Sequence, residues 1–160
     1  MSFDEVRVLP DDTSRELLSN TLERVNRVSN LARADALQRN AFAGTELREV
    51  VKEHVEAGKL PDGFVTPITQ RVQASLERRA GKQPKFSSYQ SLTLPASAFK
   101  WGEGKVTMLT GRGKRTIGVR VDLTQGSLRH PLDGRPVSIV FRNGEFDLCA
   151  ADVERPRDDD

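Results

Sequence analysis

Between Arg71 and Arg120 the sequence places eleven lysines and arginines (Arg71, Arg78, Arg79, Lys82, Lys85, Lys100, Lys105, Arg112, Lys114, Arg115 and Arg120) against two acids, Glu77 and Glu103. The residues on either side are net acidic, so the formal charge of +2 for the whole chain hides a concentrated positive field. Phe86, Tyr89, Phe99 and Trp101 lie in the same stretch and include the only Tyr and the only Trp. Cations meet phosphates and flat rings meet unstacked bases, which are the two needs of a single-stranded or irregular nucleic acid. Arg71, Arg78, Arg79, Lys82, Lys85, Lys100, Lys105, Arg112, Lys114 and Arg115 are therefore the candidate phosphate contacts, with Tyr89 and Trp101 as candidate stacking rings. A solvated charged face over aromatic strand core would give the same letters, and composition alone leaves both readings open.

Other chemistries find less support. The single cysteine, Cys149, excludes an internal disulfide and a multi-cysteine zinc site, and its alternating apolar surroundings predict a buried small residue. His54 and His130 have no metal-ligating neighbour at a recognisable spacing. Gly111, Gly113 and Gly118 stand among basic residues but lack the strand-then-helix setting of a phosphate-cradling loop. No cofactor or metal is expected. No run of about 18 apolar residues and no charged-then-apolar leader is present, which predicts a soluble, cytoplasmic protein without a membrane partner.

With 160 residues, 36% of them hydrophobic and 30% charged, the chain has enough apolar side chains for a modest core. Phe3, Val6 and Val8 alternate before Pro10 and predict a first strand. Asp11, Asp12 and Thr13 offer a start, with Glu16 three residues after Thr13 as in a capping box, to a long helix through Leu18, Leu22, Val25, Val28 and Ala32 to about Ala41. Its other face, with Arg15, Glu23, Arg24, Arg27, Arg33 and Arg39, reads as solvated. Thr45 opens a second helix, and Gly58 is expected to close it in a left-handed conformation. Thr66-Pro67 opens a third, with Ile68, Val72 and Leu76 as an apolar stripe and Arg71, Arg78 and Lys82 on another face; Gly81 ends it.

The period then becomes two: Leu92 and Leu94; Val106 and Met108; Ile117, Val119 and Val121. Val137, Ile139 and Phe141 lead into Asn143-Gly144, and Phe146, Leu148 and Ala150 leave it, a hairpin on a two-residue turn. The fold class expected is α+β: a small antiparallel oligonucleotide-binding-type β-barrel with a three-helix segment inserted after the first strand. The expected division is a first barrel strand at 1–10, a helical insertion at 11–82, the barrel proper at 83–154 and an acidic tail at 155–160.

In order, these pieces resemble the N-terminal half of TnpB, the transposon-encoded RNA-guided nuclease, and of the related type V CRISPR effectors. Val6-Arg7-Val8-Leu9-Pro10 before a helix, Asn26 and Asn30 within it, Leu60-Pro61, and Gly81-Lys82-Gln83-Pro84-Lys85-Phe86 look like the family's opening strand, first helix and linker. Ser91-Leu92-Thr93-Leu94, Gly104-Lys105-Val106-Thr107-Met108 and the hairpin from Pro136 to Val153 are similar to its later strands. The resemblance implies a wedge domain with a helical recognition insertion that holds a structured guide-type RNA and reads a short DNA motif beside the target. The family's RuvC-like carboxylate motifs and cysteine-rich zinc insert have no counterpart here, so cleavage by this chain alone is not expected. The expectation is a non-catalytic RNA-binding module, completed by a separate RuvC-type nuclease chain or acting alone. The alternative is a protein-interaction or dimerising module without RNA, which would place Trp101 and the Ile68, Val72, Leu76 stripe at a subunit contact.

Overall fold

The computed structural model describes residues 5–78, 85–120 and 132–151. Phe3, Arg79, Gly81, Lys82, Val121, His130 and the 155–160 tail, all named above, lie outside them.

The first strand, β1 (Glu5–Arg7), is followed by α1 (Asp12–Arg39), whose apolar repeat buries Leu18, Leu22, Val25, Ala32 and Ala36 completely. Of the three residues that offered a start, Asp11 is the N-cap, two positions before the Thr13 of the expected capping box, and its carboxylate accepts from the Ser14 backbone N–H at 2.8 Å. It ends where Asn40 turns left-handed at φ 55°, a conformation asparagine tolerates better than branched residues do. Then comes α2 (Gly44–Ala57), burying Leu47, Val50, Val51 and Val55. The expected left-handed Gly58 is corrected: its φ is −82°, and Lys59 takes the positive φ of 56°. Gly58 is small for a different reason, since a Cβ there would lie 2.9 Å from Val28 Cγ2 on α1. After a 3₁₀ turn at Asp62–Phe64, α3 (Val65–Glu77) carries Pro67 in its first turn, where a missing N–H costs nothing.

Six further strands follow: β2 (Leu92–Leu94), β3 (Phe99–Gly102), β4 (Lys105–Thr110), β5 (Gly113–Gly118), β6 (Val137–Arg142) and β7 (Glu145–Ala150). They form two antiparallel sheets, ordered β1-β7-β6-β2 and β3-β4-β5. The chain is α+β, and its first strand joins the last one across the helical segment, with Glu5 opposite Cys149. The sheets are stitched where β1 runs out: Val8 bridges Val119, the Leu9 N–H donates to Gly118 O at 2.9 Å, and the Arg120 N–H donates to Arg7 O at 2.8 Å. The β6–β7 hairpin turns at Asn143 (φ 53°) and Gly144 (φ 79°), the two positive angles such a turn demands. One continuous apolar core joins the helices to both sheets, and Cys149 is fully buried beside it.

Candidate nucleic-acid interface

The register of the three-stranded sheet sorts the basic strand residues by face. Phe99 pairs Met108 and Met108 pairs Arg115; Trp101 pairs Val106 and Val106 pairs Ile117. Directly opposed residues share a face, so Trp101 and Arg115 belong to the side that buries Val106, Met108 and Ile117. The other side presents Lys100, Lys105 and Lys114. Lys100 lies opposite Thr107, two residues from Lys105, which sets a diagonal separation of about 7–8 Å between their Cα atoms. Thr107 and Thr116, hydroxyl to hydroxyl at 2.8 Å, form the polar floor between the lysines. All three lysines are exposed, and among the described residues none is paired with a carboxylate.

The aromatic candidates are engaged within the fold. Trp101 is half-buried and stacks on Phe99 with ring centroids 5.9 Å apart and planes 15° from parallel. Tyr89 is 38% exposed; its ring meets Phe141 at 5.0 Å and its hydroxyl donates to Glu23 at 2.7 Å. That bond to a carboxylate pushes the Tyr89 pKa up.

Arg112 sits in the β4–β5 turn, which is docked on α1. The Gly111 N–H donates to Thr21 Oγ1 at 2.8 Å, and Gly111 O accepts from Arg24 at 2.7 Å. Arg112 itself faces Glu16 at 3.6 Å. A Cβ at Gly111 would approach Asn20 Oδ1 to 3.0 Å, so a larger residue there requires the Asn20 and Arg24 side chains to give way. Arg115 folds back to the Lys114 carbonyl at 3.0 Å.

A second basic group gathers where α3 meets the segment before β2. The wall of that group is set by two asparagines one helical turn apart on α1. Asn26 donates to Ser88 O at 2.9 Å and Gln90 O at 3.1 Å; Asn30 donates to Phe86 O at 2.9 Å and accepts from the Phe86 N–H at 2.8 Å. Arg71 lies over the Phe86 ring at 4.3 Å and donates to Ser91 O at 3.2 Å, while its Nη1 is buried with no acceptor. Burial pulls the guanidinium down to about 10. Arg78, at the C-cap of α3, and Lys85 are exposed and border the same cleft.

Two arginines read as solvated are not. Arg24 holds Gly58 O at 3.0 Å and Lys59 O at 2.9 Å besides Gly111 O, tying α1 to the α2 terminus and to the β4–β5 turn. Arg33 is buried and donates to Ser75 Oγ at 2.8 Å. Spacing could not show this, because a cation above solvent and one above a carbonyl occupy the same helical positions.

The four-stranded sheet gives the contrast. Buried Asp147 accepts from Arg7 at 3.0 Å and Arg142 at 3.1 Å; Arg7 also meets Glu145, and Arg142 meets Glu5 at 3.0 Å. Each of the sheet's two arginines is met by carboxylates within the fold. Among the described residues no group of three or more His, Cys, Asp and Glu is placed to hold a metal, and no helix is long and apolar enough to cross a membrane. The Ile68, Val72 and Leu76 stripe lies inside the chain's own core. No protein-family model matches the chain, and a search of curated proteins finds none similar to it.

Proposed function

We propose that this chain is a non-catalytic nucleic-acid-binding module that holds a structured RNA through two sets of cations. One set is Lys100, Lys105 and Lys114 on a single sheet face; the other is Arg71, Arg78 and Lys85 beside α3. The observation that carries the reading is the gathering of cations that meet no carboxylate into these two groups. Arg7, Arg39 and Arg142 each meet carboxylates, whereas these six residues meet none among the described residues. Other cations among the described residues also lack a carboxylate, Arg24, Arg33 and Arg48 among them, and these donate to carbonyl or hydroxyl groups of the fold. What sets the six apart is that they gather in two groups, and clustered positive charge keeps a field able to attract a polyanion.

On this reading the two sheets, joined at Val8 and Val119, serve as an oligonucleotide-binding-type barrel with the helical segment as its recognition insertion. The likeness to the N-terminal half of TnpB and type V effectors supports a guide-type RNA as the ligand, with duplex DNA and a separate nuclease chain as further partners. Trp101 and Tyr89 are the rings proposed to meet bases, each already in contact with another ring of the fold, Phe99 and Phe141. The reading is favoured over the interaction-module alternative by the burial of Ile68 and Val72, part of the stripe that alternative would place at a subunit contact, within the chain's own core.

The test is purification at low salt followed by sequencing of co-eluting RNA. One dominant structured RNA, lost when Lys100, Lys105 and Lys114 are changed to Glu, supports the reading. Protein free of RNA, or the same RNA retained by the variant, contradicts it.

A further inference from the structure

The cleft between α3 and residues 85–93 has a volume of about 370 Å³ and is lined by Arg71, Ser75, Arg78, Lys85, Phe86 and Thr93 among others. A fourth cation stands behind this wall, since Arg33 reaches Ser75 Oγ from α1. Among the described residues no carboxylate pairs with any of the four. A half-buried guanidinium without a counter-charge is costly, and its placement here is fixed: it lies over the Phe86 ring, Ser91 O takes one nitrogen, and the enclosed Nη1 has no acceptor.

We propose that this cleft binds a phosphate ester, with the Arg71 guanidinium at its wall and Arg78 and Lys85 holding the anion at the rim. A carboxylate brings one charge, whereas a phosphate brings up to two and enough acceptor oxygens for a planar guanidinium and two further cations. The volume exceeds that of an inorganic anion and falls within the range of small-molecule sites, leaving space for an attached nucleoside against Pro67, Ala74 and Leu92. The inference deepens the RNA reading and rests on it for the source of the ester. Its test uses small ligands and no structured RNA, so the two fail separately.

The experiment is thermal unfolding of the full chain with inorganic phosphate, adenosine 5′-monophosphate, adenosine, or chloride at matched ionic strength. Phosphate and the monophosphate are expected to raise the midpoint by about 3–6 °C at ten times Kd, and adenosine and chloride to leave it in place. Arg71→Met should fold and lose the shift. Arg78→Gln with Lys85→Gln, both exposed and therefore tolerant of change, should weaken monophosphate binding by about tenfold or more. A short oligonucleotide with and without a 5′-phosphate then identifies the source. Preference for the phosphorylated form assigns a strand end, equal Arg71-dependent affinity assigns an internal phosphodiester, and either supports the proposal. No shift with phosphate or the monophosphate overturns it, as does a shift that survives Arg71→Met. If Arg71→Met fails to fold, unchanged affinity in the double glutamine variant overturns it. RNA retention by the wild-type chain alongside such a failure would leave the polymer reading standing.

Discussion

Asn30 and Phe86, fifty-six positions apart, exchange two hydrogen bonds: the asparagine amide donates to Phe86 O at 2.9 Å, and its carbonyl accepts from the Phe86 N–H at 2.8 Å. The side chain thus does for Phe86 what a neighbouring strand would do. The ring so placed is the one that Arg71 covers, and the position of the basic cleft depends on a helix that contributes none of its exposed cations.

Replacing Asn30 by Ala should therefore destabilise the protein by about 2–3 kcal/mol, because both backbone groups of Phe86 lose their partner at once. Urea unfolding measures this, and an unchanged midpoint would mean that the clamp is not formed. The same variant should loosen the cleft, so phosphate protection should fall with stability.

Asp147 is the buried centre of a pair of arginines. Asp147→Ala should cost about 2 kcal/mol; the figure lies below that for a fully buried pair because Arg7 and Arg142 are each nearly half exposed. Arg7→Ala should cost less than Asp147→Ala, since Arg142 still meets the carboxylate. Equal losses would contradict the shared-acceptor arrangement.

Asp35 supplies an acid-sensitive contact between α1 and α2. Its hydrogen bond from His54, at 2.9 Å, and the nearby Arg39 hold its carboxyl below the usual 3.8. A lowered folded-state pKa means that the unfolded chain binds the proton more readily. The contribution is thus fully present above about pH 4 and is lost as pH falls through the depressed value. Unfolding between pH 5 and pH 2 should show a smaller loss of stability for Asp35→Asn than for wild type. A wild-type curve flat over that range would contradict the contact.

The α+β class and the Asn143-Gly144 hairpin were legible because each rests on local periodicity or a turn with one chemical solution, and the order of the elements showed that the first strand joins the later sheet, though not that its partner is the last strand. The basic stretch was legible as a count, not as a surface. Trp101 and Lys100 are adjacent in sequence yet lie on opposite sides of β3, and only the pairing with Val106 and Thr107 reveals which side is the core. Arg33 and Arg24 looked like solvent-facing cations because their acceptors, Ser75 Oγ and the Gly111 carbonyl, come from segments far along the chain. Asn26 and Asn30 were noticed only through family likeness; a buried asparagine one turn from another, before a segment of no regular structure, is the signal that could have found the clamp. The placement of Gly58 by Val28 was hidden for the same reason, since a contact between two helices leaves no mark in either one alone.

The central claim is that six cations left without carboxylates, Lys100, Lys105, Lys114, Arg71, Arg78 and Lys85, neutralise phosphates. Its most direct test is the affinity for the co-purified RNA measured against salt concentration. With about six phosphates neutralised, a plot of log K against log salt should fall with a slope near −4, and Lys100→Gln, Lys105→Gln and Lys114→Gln together should reduce its steepness by about 2. Affinity that is flat in salt, or a slope untouched by the three substitutions, would contradict the account.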